Sequence, residues 1–210
     1  MKEKMIMFIL SVVVLIGLVA GLLIPEPMVM KTVQAERKAN YAFMGESAAI
    51  AEARAERWYK ALFVKTHLTQ FTFDIAGGIK AGKARDDSKI ERASSTAVEW
   101  WKGRMRVLWS VAFQFLVRLS NNLIWLPLGL LILLPFIVDA MVVRKIKTTN
   151  FALASPHMQL FGTKSMILIV VGYLVLQLLP MKLHPVTAPL ALALFSISTW
   201  IGISQFAKRA

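Results

Sequence analysis

The chain has 210 residues, of which 57% are hydrophobic and 18% charged, where an ordinary soluble domain carries about 25% charged residues. The apolar residues gather into long blocks, which excludes a simple soluble domain and marks an integral membrane protein. The absence of cysteine excludes a disulfide framework, a thiol nucleophile and a cysteine metal site.

A formal charge of +13 invites a nucleic-acid reading, but its placement argues otherwise. Nine of the 25 Lys and Arg flank apolar blocks, at Lys2, Lys4, Arg144, Lys145, Lys147, Lys164, Lys182, Lys208 and Arg209. The other sixteen lie between Lys31 and Arg118, in a segment (25–122) that also holds ten acids. Membrane topology and surface charge account for the excess, and direct DNA contact is left to the basic loop and the termini.

Four segments qualify as spans. The first, "MIMFILSVVVLIGLVAGLLI" at 5–24, is twenty residues without a charge, enough to cross about 30 Å of hydrocarbon. A cleaved signal peptide is the competing reading, because "VQA" at 33–35 has small-residue cleavage character. The apolar run exceeds the usual 7 to 15 residues of a signal core, and the site lies well past its end, so an uncleaved anchor over residues 1–24 is favoured.

The next block, 25–122, is predicted to be an extracytoplasmic helical region inserted between the first and second spans. Residues 47–71 are rich in helix formers, with Glu56 and Lys60 paired at i,i+4. Ile50, Ala51, Trp58, Ala61, Leu62 and Leu68 are predicted to form the packing stripe. "IAGGIKAGKARDD" then reads as a glycine-broken loop. It misses the phosphate-loop order, because Ala84 follows Lys83 where Ser or Thr is required. "SKIE" at Ser88 has capping-box spacing and opens another helix. Within it Trp100, Trp101 and Trp109 occur with Lys102, Arg104 and Arg106, the composition of a membrane interface. The apolar run 107–117 is too short to span before Arg118. Residues 100–119 are therefore predicted to be an interfacial or partner-packed helix, with a fifth, tilted span as the alternative.

Residues 123–210 are predicted to be a three-helix transmembrane region, with spans at 123–143, 165–180 and 186–206 and a basic loop at 144–164. Ser196, Ser198, Thr199 and Ser204 suit close helix contacts in the last span. The loop, the N-terminus and the C-terminus are all basic. A four-span count puts all three on one side, the cytoplasm.

Candidate chemistry is sparse. His67, His157 and His184 fall in three regions, so no shared metal site is expected. Asp139 is the one acid predicted inside a span and has no second carboxylate for proton chemistry. No cofactor is implied and an enzyme is not expected. Asp139 has no charged neighbour at i±3 or i±4. It reaches interfacial water or Arg144, or meets a partner on another helix or another protein, or belongs to a proton or ion pathway. Gln177 is a second polar residue at depth. The candidate partner-binding residues are thus Asp139, Arg144, Lys145, Lys147, Gln177, Trp100 and Trp101.

"WLPLGLLILLPFIVDAMVVRKIK" followed by "PHMQLFGTKSMILIVVGYLVLQLLPMKLHPVTAPL" resembles a family of inner-membrane proteins from integrative conjugative elements and conjugative plasmids. The shared pattern is an apolar span ending in Asp139, Ala140, Met141, Val142 and Arg144, then a polar loop with His157. A second span follows, ending in Leu179 and Pro180, with Pro185 in the turn beyond. Alanine at 140 stands where glycine is frequent in the family. The resemblance covers 109–210 and implies a role in conjugative DNA transfer. Genes of such a family lie beside that of the hexameric coupling ATPase of type IV secretion. The implied role is a non-catalytic scaffold whose partners are transfer-apparatus membrane proteins, the coupling ATPase first. The alternatives are an entry-exclusion or assembly factor that blocks redundant mating, and a transporter or channel subunit. Self-association stays open.

Overall fold

The structure, a computed structural model, describes Ser11 and residues 23–81, 88–150 and 155–206. Most of the first apolar segment (5–24), the loop residues 82–87 and the basic pair Lys208 and Arg209 lie outside the described residues. Every regular element among those described is helical. The chain divides into two compact units. One comprises Met1–Asn121 with Gln177–Leu183, the other Asn122–Leu176 with His184–Ala210.

The first unit opens with α1 (Glu26–Met44). Pro25 has extended backbone, φ −62° and ψ 139°, and Glu26 places an acid at the positive end of the helix dipole. Residues 33–35, the candidate cleavage site, lie inside α1, where the backbone is helical and Val29 nearby is fully buried. Gly45 is the one-residue joint to α2 (Glu46–Tyr59), with φ +56° and ψ −128°, a conformation side chains disfavour. A π-helical turn (Lys60–Val64) follows, and then α3 (Leu68–Ala81), whose backbone stays helical through Gly77 and Gly78. The glycine-broken segment expected from residue 75 on is thus helical as far as Ala81.

The packing stripe differs from the expected one. α2 buries Ala48, Ala51 and Ala55, spaced i, i+3 and i+7, while Ile50, Leu62 and Leu68 are exposed. The alanines bring α2 close to its neighbour, and the π turn then shifts the register after Tyr59. His67, with φ +56°, breaks the helix outright. A single 3.6-residue stripe therefore cannot be drawn through residues 50–68. The shift carries Tyr59 and Phe63 onto Trp109 and Phe113, with ring centroids 5.2 to 6.3 Å apart in tilted and edge-to-face contacts. Trp109 Nε1 donates to Thr72 Oγ1 at 3.0 Å.

α4 (Ser88–Thr149) is a single helix of 62 residues. The expected interfacial helix (100–119) and second span (123–143) are thus consecutive stretches of one helix. In the first unit α1 and α4 run in the same direction. Glu26 pairs with Arg106, Ser110 Oγ lies 4.0 Å from Met30 Sδ, and Glu36 meets Gln114 and Arg118. Arg104 Nη1 also donates to the Ile24 carbonyl at 2.8 Å.

The second unit holds the rest of α4, with α5 (Pro156–Leu178) and α6 (Thr187–Ser204). Among the described residues three helices are long and apolar enough to cross a membrane, in Val98–Thr149, Pro156–Leu178 and Thr187–Ser204. The described residues are all-helical in their regular structure, and these helices mark a membrane protein. α4 and α6 are parallel, with Gly129 against Leu192, Asp139 against Trp200 and Arg144 against Phe206. α5 crosses α6 where Gly162 faces Gly202. A Cβ on Gly162 would lie 2.5 Å from Gly202 N and 2.8 Å from its Cα. Only glycine allows the backbones this close. Ser196, Ser198, Thr199 and Ser204 are all buried, as their spacing predicts. Ser196 and Thr199 hydroxyls each donate to the carbonyl four residues earlier at 2.8 Å.

Candidate functional site

The main polar centre of the first unit is an ion pair between Glu36 of α1 and Arg118 of α4. The two side chains are 5% and 4% exposed. A buried pair costs several kcal/mol per ion in desolvation, so it persists only with near-complete hydrogen bonding. That condition is met. Arg118 Nε donates to Glu36 Oε1 at 2.8 Å and Nη2 to Oε2 at 2.7 Å. Nη1 donates to the carbonyls of Gln177 and Leu179 at 2.7 and 2.8 Å, and Nη2 to that of Met181 at 2.5 Å. These contacts occupy all five guanidinium donors. Glu36 Oε2 also accepts from Gln114 Nε2 at 2.7 Å and from the backbone N–H of Leu183 at 3.1 Å.

Local sequence explains the fit. Glu36 lies ten residues into α1, on the face shared with the buried Val29 and Asn40. Gln114 and Arg118 are one turn apart on α4 and meet the same carboxylate. The segment 177–183 begins in the last turn of α5 and runs past its end, where carbonyls have no helical partner, so a cation is favoured there. Arg118 supplies it, and Thr32 Oγ1 adds a 3.5 Å contact to the Pro180 carbonyl. The result is a clamp that holds the 177–183 turn against α1 and α4. The carboxylate and guanidinium are engaged with each other, with Gln114 and with backbone groups. A cavity of about 40 Å³ beside it is lined by Glu36, Asn40, Gln114 and Asn121, room enough for water.

On the surface of this unit Arg37 bridges to Glu52 at 2.9 Å, and Tyr41 donates to the same carboxylate at 2.7 Å. The hydrogen bond with Tyr41, and then the Glu52 charge, push the Arg37 pKa above its usual value. Lys60, hydrogen-bonded to Glu56 at 2.7 Å, holds that carboxyl below its usual range.

The sequence-derived candidates are scattered rather than assembled. Asp139 Oδ2 accepts from Trp200 Nε1 at 2.6 Å. Arg144 does not serve Asp139. Its guanidinium lies over the Phe206 ring, 4.8 Å from the centroid. Lys145 is exposed and Lys147 half-buried. Gln177 reaches the clamp through its backbone carbonyl, while its buried side-chain Oε1 has no partner among the described residues. Trp100 is exposed and stacked by Arg104 at 5.4 Å. Trp101 is half-buried with its Nε1 unpaired among the described residues. His184 and Pro185 form the turn before α6, where the Val186 N–H faces His184 Nδ1 at 3.4 Å.

Sequence reasoning took Arg118 only as the end of an apolar run and passed over Glu36. The available signal was Arg118 itself, a lone cation between apolar stretches, which requires an acid from elsewhere in the chain.

Compared with known families, residues 25–207 match the model described as "IncC plasmid conjugative DNA transfer protein DtrJ-like". The chain belongs to the DtrJ-like family. The match covers both units and includes Glu36, Arg118, the 177–183 turn and Asp139. It extends the resemblance read from 109–210 back through α1 to α3. A DtrJ-like chain is a component of conjugative DNA transfer, which agrees with the function implied by that resemblance. Neither a curated protein sequence nor a solved structure matches the chain.

Proposed function

We propose that this DtrJ-like protein is a non-catalytic inner-membrane scaffold of a conjugative type IV secretion apparatus, with the coupling ATPase or the secretion channel as its direct partner. The observation that carries this reading is the family match over 25–207, which spans residues of both compact units and ties the chain to conjugative DNA transfer. The clamp supports it. The most elaborate polar site in the described residues spends its hydrogen bonds on backbone carbonyls of a turn, as expected of a part that fixes shape rather than turns over a substrate.

The proposed topology has four spans, with both termini in the cytoplasm. Two crossings between Asn121 and Gln177 return the chain to the side it left, which accords with residues 177–183 belonging to the same compact unit as α1. Arg144, Lys145, Lys147 and Lys164 then face the cytoplasm under the positive-inside rule.

Crosslinking in living donor cells through a tagged copy, with mass spectrometry of what copurifies in mild detergent, tests the scaffold reading. Coupling-ATPase or channel subunits are the expected products. Recovery of this protein alone would overturn it. The cysteine-free chain also allows single cysteines at residues 38 and 145 to be labelled from either side of the membrane, with opposite accessibility expected.

A further inference from the structure

Arg144, Lys145 and Lys147 occupy the last two turns of α4, and no acid pairs with them among the described residues. We propose that this end of the second unit, where α4 and α6 finish and α5 begins, binds the phosphate of an anionic phospholipid, with Arg144 as the anchor.

The three helix ends meet there. The Arg144 guanidinium lies over the Phe206 ring, 4.8 Å from its centroid. Gln205, the residue before Phe206, accepts from the Ser155 backbone N–H at 3.3 Å, which brings the start of α5 to the same place. The ring holds one face of the guanidinium and leaves its edge donors for an acceptor. Among the described residues no carboxylate or carbonyl takes them. Lys147, one turn beyond Arg144 on the same face, is half-buried, and Lys145 is exposed. Asp139 is turned to Trp200, and no Asp or Glu follows it in the sequence. The C-terminus of α4 offers these cations only about half a unit of negative charge. The start of α5 brings the positive end of another helix dipole, with no acid in its first turn. Positive charge is therefore in excess at this end.

Two features choose the anion. The cluster begins at the residue after the apolar stretch 123–143 on the same unbroken helix, the level at which a spanning helix meets headgroups. Around the cations lie Val142, Ile146, Met158 and Phe206, each 45–51% exposed. An anionic phospholipid supplies both a phosphate for the guanidinium and an acyl chain for these side chains. DNA supplies phosphates but leaves the apolar side chains in water. A zwitterionic lipid covers them and brings no net negative charge. The same end of a second copy carries the same cations and is repelled. An acidic partner protein would have to displace the headgroups already at that level.

The test uses the full chain in a neutral detergent with equal amounts of phosphatidylglycerol and phosphatidylcholine, and bound lipid is counted by native mass spectrometry. Phosphatidylglycerol adducts are expected to exceed phosphatidylcholine adducts at least tenfold, since each cation near a membrane surface contributes about fivefold. Arg144→Gln should lower the ratio about fivefold, and Arg144→Gln/Lys145→Gln/Lys147→Gln should bring it close to one. Phe206→Leu keeps an apolar side chain but removes the ring under Arg144. It should lower the ratio, which a diffuse attraction between charges would not. Lys164→Gln is the control. Gly162 faces α6, and Lys164, two residues on, is exposed on the opposite side of α5, so the ratio should not change.

Equal adducts in the unaltered chain overturn the proposal in favour of an acidic protein partner. A preference that survives the triple variant, or falls as far in Lys164→Gln as in Arg144→Gln, also overturns it. So does displacement of phosphatidylglycerol by a short single-stranded DNA at equal phosphate concentration, which would assign the site to nucleic acid. The result is independent of the scaffold reading, which copurification from donor cells tests.

Discussion

Arg118 and Glu36, 82 residues apart in sequence, form a bidentate ion pair at 2.7 and 2.8 Å, and the same guanidinium holds three carbonyls of the 177–183 turn. The pair is therefore a junction of three chain segments. Removing one partner of such a buried pair leaves an uncompensated charge, at a cost of about 3–5 kcal/mol. Glu36→Gln and Arg118→Met should each lower stability by that amount, followed by thermal or proteolytic unfolding in detergent. The double variant Glu36→Leu/Arg118→Met should recover part of the loss. Arg118→Lys should not rescue, because an ammonium cannot reproduce five donors in a planar fork.

If the clamp positions the 177–183 turn for assembly, its loss should reach function. Arg118→Met in donor cells should lower transfer frequency by more than tenfold while the protein still accumulates in the membrane. A mating assay with immunoblotting of membranes checks this. Unchanged transfer would show that the clamp serves stability alone.

Gly162 and Gly202 set the α5–α6 crossing. A methyl at Gly162 meets backbone, which cannot rotate away. Gly162→Ala should cost about 1–3 kcal/mol and Gly162→Val more. Gly129→Ala, whose added methyl meets only the mobile end of Leu192, should cost less. Melting curves of the three variants side by side give the ranking.

Gly45→Ala isolates a backbone effect. Nothing lies within 4 Å of the added Cβ, so the cost comes from φ +56° with ψ −128° alone, about 1–3 kcal/mol. The expected result is a lower melting temperature with unchanged helix content by circular dichroism.

Burial among aromatic rings pushes the Tyr59 pKa above its usual value. Its folded form prefers the neutral phenol, so its contribution is fully present below the ordinary tyrosine pKa near 10 and is lost as pH rises through the raised value. Tyr59→Phe should flatten the alkaline limb of a stability-against-pH profile and leave the neutral region unchanged.

The sequence by itself determined the solvent. Runs such as 123–143 and 165–180 have no other physical home than a bilayer, and the small polar residues of α6 announced a close helix face that the structure buries. It also supplied the conjugative resemblance, through Asp139, Arg144 and the turn around Pro180. It could not show that Arg118 has a partner in α1, since nothing local to residues 34–38 distinguishes Glu36 from an ordinary surface acid. Likewise it could not show that Asp139 meets Trp200 while Arg144 turns to Phe206. Hydropathy is a sum over neighbours in the chain, and so it is legible there. Ion pairing and backbone approach depend on which distant residues meet at 3 Å, and only the tertiary structure decides that. For Glu36 and Arg118 it does so through the parallel packing of α1 on α4, and for Gly162 and Gly202 through the crossing of α5 and α6.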